Sequence, residues 1–304
     1  TSGSTVTRAA ETLTLPAAQL PWPEPVVIGD ELVTNGTFDS DSDWTKETGW
    51  EISGGVASYS GVIIANAIEQ FVSGSSSGVY VLSFDVVFGS KTHERLAFQL
   101  DGVTVYGINK VDSGDGTYSF VFYGLNKTIG FAASRSVGGD NIFSGSIDNI
   151  SIKEIDPLSV SIQMDGRITY ADEQSSNTAR LVDWEANSSN FIRWPLHTTT
   201  VGTAIDDSIN ISQSASNVDD IVNTGADSFT GGILQPFNIA SRHGSTFING
   251  AVDGVALTAD TTPTALPDLS TTDLNLAYDY NGTIRTFRVW DVDLGDSGIE
   301  EASS

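Results

Sequence analysis

Alternation of apolar and polar residues with a period of two runs along most of this chain, and it restricts the fold to layered β-sheet. In Val79–Phe88 one face collects Tyr80, Leu82, Phe84, Val86 and Phe88, while Ser83 and Asp85 point the other way. Arg95–Asp101 repeats the pattern with Leu96, Phe98 and Leu100 against Arg95, Gln99 and Asp101. Tyr118, Phe120 and Phe122 form a third such row, opposite Ser119, Val121 and Tyr123. The dipeptides Asp101-Gly102, Asp115-Gly116, Asn249-Gly250 and Asn281-Gly282 read as tight turns between strands. Short strands joined by Gly-rich turns build sandwiches or barrels. One helix is expected, at the C-terminus, where Ser297 and Glu300 have capping-box spacing.

The chain has 304 residues, more than one domain usually holds, so two domains are expected. Two breaks divide it. Leu20–Val26 reads LPWPEPV, a stiff segment excluded from any central strand. Ile155-Asp156-Pro157-Leu158 forms a second exit. Hydrophobic residues at 39% and six tryptophans suffice for two cores.

Charge narrows the partners. Asp and Glu outnumber Lys and Arg by 39 to 14, for a net charge of −25. Nucleic acid and anionic membrane surfaces both demand clusters of Lys and Arg, so neither is an expected partner. A solvated acidic surface accounts for the excess, and carboxylates that bind divalent cations are compatible with it. With no cysteine, disulfides, thiolate catalysis and cysteine-based zinc sites are excluded. No apolar run approaches ~18 residues, so no membrane insertion is expected. The opening TSGSTV has neither Met nor a signal-peptide pattern and reads as the start of a fragment of a longer protein.

Two segments carry a family resemblance. Glu31–Trp50, ELVTNGTFDSDSDWTKETGW, together with Gly145–Glu154, GSIDNISIKE, resembles the first and last strands of carbohydrate-binding modules of the family 4 and family 9 type. The resemblance implies a jelly roll over residues 28–155 that binds polysaccharide or cell-surface glycan. It also implies a structural Ca2+ held by the Thr37 carbonyl and the carboxylates of Asp39 and Asp148. Oxygen ligands from the two terminal strands would staple the sandwich closed. The family usually has Glu where this chain has Asp39, which shortens the reach. Asp39, Asp41 and Asp43 also imitate the start of an EF-hand loop, but Trp44 stands at the glycine position and Trp50 at the bidentate glutamate position, so that motif fails.

Further on, Asn281–Asp293, NGTIRTFRVWDVD, resembles the final strand of concanavalin A-like (laminin G-like) sandwiches of phage tail and bacterial surface proteins. Those proteins often open with Thr-Arg-Ala-Ala, and Val6–Leu15 here reads VTRAAETLTL. The expectation is therefore an all-β protein of two β-sandwich (jelly-roll) domains, one inserted into the other. Residues 1–27 plus 156–304 would form a discontinuous outer sandwich, with a strand from 1–27 beside the closing strand, and 28–155 the inserted jelly roll. The alternative is a tandem arrangement with a loose N-terminal tail, which would leave an exposed strand edge.

Sugar binding needs aromatic faces and planar hydrogen-bonding groups on a sheet or loop edge. Asp85, Arg95, Gln99 and Tyr123 are expected to project together from adjacent strands, with Tyr59 and Tyr106 near sheet edges and Trp44 as a platform or a core residue. Against this stands an ordinary solvated sheet face. Trp50, Trp184 and Trp290 sit on patterns that read as core.

Catalysis finds little support. No strand carries the carboxylate spacing of jelly-roll glycanases; Asp183-Trp184-Glu185 is the nearest and lacks a third acid. Gly74–Gly78, GSSSG, matches a nucleophile elbow by formula but lies in a serine-rich turn before a strand. The expected function is non-catalytic glycan adhesion by a phage tail or extracellular bacterial protein, with other virion or surface-fibre subunits as further partners. Two rivals remain: a structural module of a virion or surface fibre that binds no sugar, and a fragment of a polysaccharide-degrading enzyme.

Overall fold

The computed structural model describes residues 13–60, 66–91, 93–135, 142–170, 179–197, 207–225, 228–229, 231–278 and 281–304. In chain order the strands are β1 (Leu13–Leu15), β2 (Thr45–Lys46), β3 (Trp50–Ser53), β4 (Val56–Tyr59), β5 (Ala67–Val72), β6 (Val79–Phe88), β7 (Glu94–Leu100), β8 (Val103–Asn109), β9 (Gly116–Tyr123), β10 (Lys127–Arg135), β11 (Gly145–Ile155), β12 (Ser159–Tyr170), β13 (Ala179–Asn187), β14 (Asn190–His197), β15 (Ser208–Ala215), β16 (Val218–Asn223), β17 (Gly232–Gly244), β18 (Ile248–Val252), β19 (Val255–Ala256), β20 (Leu274–Tyr278) and β21 (Gly282–Trp290). Among the described residues two α-helices accompany them, α1 (Lys110–Ser113) and α2 (Gly295–Ala302), with a 3-10 turn at Ala17–Gln19. The protein is all-β, built from antiparallel sheets. It divides into two compact units, one of Thr1–Glu24 with Pro157–Ser304 and one of Pro25–Asp156.

The Pro25–Asp156 unit is a sandwich of two five-stranded sheets, β2-β5-β10-β7-β8 and β3-β4-β11-β6-β9. The apolar rows of the alternating segments meet between them. Tyr80, Leu82, Phe84, Val86 and Phe88 of β6 pack with Leu96, Phe98 and Leu100 of β7 and Phe131 of β10. Phe84 and Phe131 meet edge to face at 4.8 Å across the sheets. Each such fully buried side chain contributes roughly 1.5–3 kcal/mol relative to an exposed one, so these rows fix which face of every strand points inward.

The segment expected as the first strand, from Glu31 onward, is not a strand. It runs irregularly beside β11, tied by Ile28 N to Glu154 O (2.9 Å), Leu32 N to Ile152 O (3.0 Å) and Ile150 N to Gly36 O (2.9 Å). The Glu31 carboxylate accepts from the backbone N–H groups of Val33 and Ile152, replacing ladder bonds with side-chain bonds. Asn35 and Phe38 at φ 51° and 50° turn the chain where a strand would run straight.

The second unit pairs a six-stranded sheet, β1-β20-β13-β14-β15-β16, with a five-stranded sheet, β19-β18-β17-β12-β21. Trp184, Trp194, Ile162, Met164, Ile211 and Ile239 lie in its core. The expected strand from the N-terminal segment pairs with β20, Leu13 opposite Leu276 and Leu15 opposite Leu274, and not with the closing strand β21. Residues 6–12 of that expected strand lie outside the described residues. The proline-rich segment joins this core, with Trp22 edge-on to Trp184 at 5.3 Å.

Two local expectations are corrected. Asn249-Gly250 is not a turn but lies inside β18. A Cβ on Gly250 would sit 1.9 Å from Ile211 Cδ1, so glycine is set by packing there. The C-terminal helix α2 forms, but Ser297 lies within it; Asp293 Oδ1 accepts from Gly295 N at 2.8 Å at its start.

Candidate functional site

The outward face of the β2-β5-β10-β7-β8 sheet is set by register. Gln99 of β7 lies opposite Gly130 of β10, which lies opposite Glu69 of β5. Arg95 lies opposite Ser134, and Thr128 opposite Phe71. With Leu96, Phe98 and Leu100 turned inward, Arg95 and Gln99 must face out, and both are half-buried. Small side chains, Ala67, Ala97 and Ala132, occupy the middle of this face and are themselves shielded. Toward one end Phe71 stands 62% exposed, an aromatic ring on the surface. Gln99 Nε2 lies 3.4 Å from Thr104 Oγ1.

Arg95 is held in a defined pose. Its guanidinium lies over β8 at Gly107, where a Cβ would come within 2.0 Å of Nη2. Its Nη1 donates to Ser134 Oγ at 3.3 Å. Directly across in register stands Asn109, whose Nδ2 donates to Asp112 Oδ2 at 3.0 Å. The Asn109 side-chain oxygen is buried and accepts no hydrogen bond.

The residues expected to bind sugar do not form one site. Asp85 and Tyr123 belong to the β3-β4-β11-β6-β9 sheet, with Tyr123 opposite Val79 and Asp85 opposite Thr117. They face outward from the sheet opposite to that of Arg95 and Gln99. Trp44 is 7% exposed, its Nε1 donating to Asn35 O at 3.1 Å and its ring tilted on Phe38 at 5.3 Å. Tyr59 is 3% exposed and packs on Trp50 at 5.1 Å. Both are core residues, because the sheet edge where a platform would stand is closed by their own packing. Tyr106 likewise stacks on Phe120 at 4.2 Å, closing the opposite edge.

Sequence reading missed Glu69 and Phe71. The alternation in Ala67–Val72, AIEQFV, puts both on the face opposite Ile68 and Val72, which is the signal that would have found them.

The residues expected to hold calcium come to one neighbourhood. The hydrogen bond from Ile150 N to Gly36 O brings the Thr37–Asp39 loop against the bulge in β11 between Asp148 and Ser151. Thr37 Oγ1 donates to Asp39 Oδ2 at 2.8 Å. Burial, opposed by a hydrogen bond from Asn149 N, pushes the Asp148 carboxyl up, and the negative charges of Asp85 and Asp39 add to the rise. Asp85 itself is held below the usual carboxylate range by hydrogen bonds from Thr117 and then Asn149. The donors are all oxygens, which suits a hard cation. Among the described residues no group of three or more His, Asp or Glu side chains is close enough to hold a metal.

No family profile matches the chain, and no curated protein is significantly similar to it. Among solved structures the similarities are weak. The binding domain of botulinum neurotoxin serotype D shares 11% identity over 48% of this chain, at TM-score 0.36; the match covers 35% of that domain. Sheep galectin-11, solved with glycerol, shares 11% identity over 43% of this chain and 90% of its own, at TM-score 0.30. A family 35 carbohydrate-binding module from Clostridium thermocellum shares 14% identity over 47% of this chain and 98% of its own, at TM-score 0.27.

Proposed function

We propose that the Pro25–Asp156 unit is a non-catalytic glycan-binding module, and that it binds through the outward face of the β2-β5-β10-β7-β8 sheet. One observation carries this reading: Arg95, Gln99 and Glu69, all planar hydrogen-bonding groups, share that face with the exposed ring of Phe71. Saccharides are recognised by that pairing of apolar ring face and in-plane polar groups. Such single sites bind at roughly µM to mM, so display of many copies would raise avidity. This fits the resemblance to phage tail and bacterial surface proteins, and we place the protein there, on a virion or outside the cell.

The same reading includes calcium on the Thr37 carbonyl, Asp39 and Asp148. It would act as a structural cross-link between the first loop and the last strand, neutralising carboxylates that otherwise repel. Because the folded pKa of Asp148 is raised, its ionised form opposes folding above the ordinary carboxylate range. Asp148→Asn should therefore raise the thermal midpoint without calcium and abolish any rise on adding calcium. A variant that still gains stability from calcium like the wild type excludes Asp148 as a ligand.

The glycan reading is tested by an array screen of the whole protein at physiological salt, with Gln99→Ala and Phe71→Ala beside it. Binding that weakens in both variants supports the face. A protein that binds no glycan leaves the structural role in a fibre or virion as the better account.

A further inference from the structure

Arg95 is a half-buried arginine with no carboxylate partner among the described residues; Arg288, likewise without one, is exposed. Acidic residues outnumber basic ones by 39 to 14, and Arg180, Arg193, Arg242 and Arg285 each engage a carboxylate. Arg95, among the described residues, has only the Ser134 hydroxyl. It is not a loose surface side chain either. Gly107 leaves the strip of β8 over which the guanidinium lies, and Ser134 holds one end. A guanidinium fixed in this way presents its remaining donors in a rigid fork that matches a carboxylate. Beside it, the Asn109 side-chain oxygen is buried and lacks a donor. A buried acceptor without a partner is costly, and a turn of the half-buried Asn109 side chain would offer it to a ligand hydroxyl.

We infer that the glycan face takes a uronic-acid residue, its carboxylate on Arg95 and a ring hydroxyl on Asn109. This rests on the glycan-binding reading and narrows it to carboxylated saccharides. The two groups stand on adjacent strands at one register position, within the span of a single sugar ring. A neutral sugar would meet Asn109 but leave the fork unmatched. Inorganic sulfate would match the fork but bring no hydroxyl donor. The net charge of −25 opposes a dense polyanion at long range. At physiological salt that field is screened beyond about 8 Å, whereas the Arg95 contact is direct. Isolated uronic residues along a largely neutral chain suit both terms.

The test uses affinity electrophoresis and calorimetry at physiological salt on uronic-acid oligosaccharides and their carboxyl-reduced counterparts, which keep every hydroxyl and lose the charge. The wild type should prefer the acid form by roughly tenfold to a hundredfold, the range for a charged hydrogen bond. Arg95→Gln should erase the preference, so that acid and reduced forms bind alike, and its thermal midpoint should stay within a few degrees of wild type. Gly107→Val, which denies the guanidinium its strip, should lower the preference without removing the charge. Equal wild-type binding of acid and reduced forms overturns the inference but leaves glycan binding standing. So does a preference that survives Arg95→Gln. Binding of neither form, in a protein that binds no glycan on the array, overturns both.

Discussion

At the scale of single residues, the least expected side chain is His243. It is fully buried, its Nε2 2.9 Å from Ser241 Oγ, and its Nδ1 meets no hydrogen-bond partner. Burial pushes its pKa down to about 3 from 6.5. Above pH 6.5 it is neutral in both folded and unfolded chains and adds no slope. Below that, the unfolded chain takes up a proton that the folded unit refuses until about pH 3. Stability should therefore fall as pH drops through this window, by at most about 4–5 kcal/mol at one pKa unit per 1.36 kcal/mol. Denaturant midpoints measured between pH 7 and pH 4 should show this slope, and His243→Gln should flatten it. An unchanged slope in the variant assigns the acid sensitivity elsewhere. The sequence pattern does not place this residue in the core, since Arg242-His243-Gly244 reads as a strand-end turn. Only register, Val160 opposite His243, places it on the inward row. Arg95 and Gln99 were legible for the opposite reason, because alternation with Leu96, Phe98 and Leu100 fixes their side of the strand.

Alternation assigns a strand face but not a sheet, and the limits of sequence reading show most clearly among the elements. Asp85 and Arg95 both lie on polar faces of neighbouring segments in the sequence, yet β6 and β7 belong to different sheets. The polar groups expected to converge therefore face away from each other. Trp44 was undecided for a related reason: its burial depends on a backbone carbonyl nine residues away, a contact no local pattern encodes. Helix α2 offers a quantitative check. Ile299 and Leu294 pack with Ala240 and Ala251, and Arg242 bridges Asp293 and Asp296, the latter carboxyl held below its usual range by Asn249 and, after it, by Arg242. The Arg242 guanidinium also lies 3.8 Å over the Phe247 ring. Truncation to Ala removes all three contacts at a side chain that is largely buried, so the outer unit should lose about 1–3 kcal/mol. Chemical denaturation of Arg242→Ala reads this directly; a change below about 0.5 kcal/mol would mean the helix is held by its apolar contacts alone.

For the molecule as a whole, the division at Glu24/Pro25 and Asp156/Pro157 has a physical basis in the ends of the inner unit. Val27 bridges Ile155, Asp156 N donates to Val26 O at 2.9 Å, and Ile28 N donates to Glu154 O. The two ends leave side by side, paired to each other. Residues 25–156 expressed alone should therefore fold cooperatively, with near-ultraviolet circular dichroism and a single denaturation transition. A peptide that binds hydrophobic dye and melts without cooperativity would show that the cut severs a shared core. The prolines made the two breaks readable in the sequence; the pairing across them was not, because Val26–Ile28 has neither length nor alternation enough to declare a strand.

That clasp has a mechanical meaning. A pull applied at residues 13 and 304 loads the unit that holds both of them first, since the two ends of the Pro25–Asp156 unit are paired to each other and carry no tension until that unit gives way. Its own lengthening would come second, and the outward face of the β2-β5-β10-β7-β8 sheet would keep its shape through the first yield.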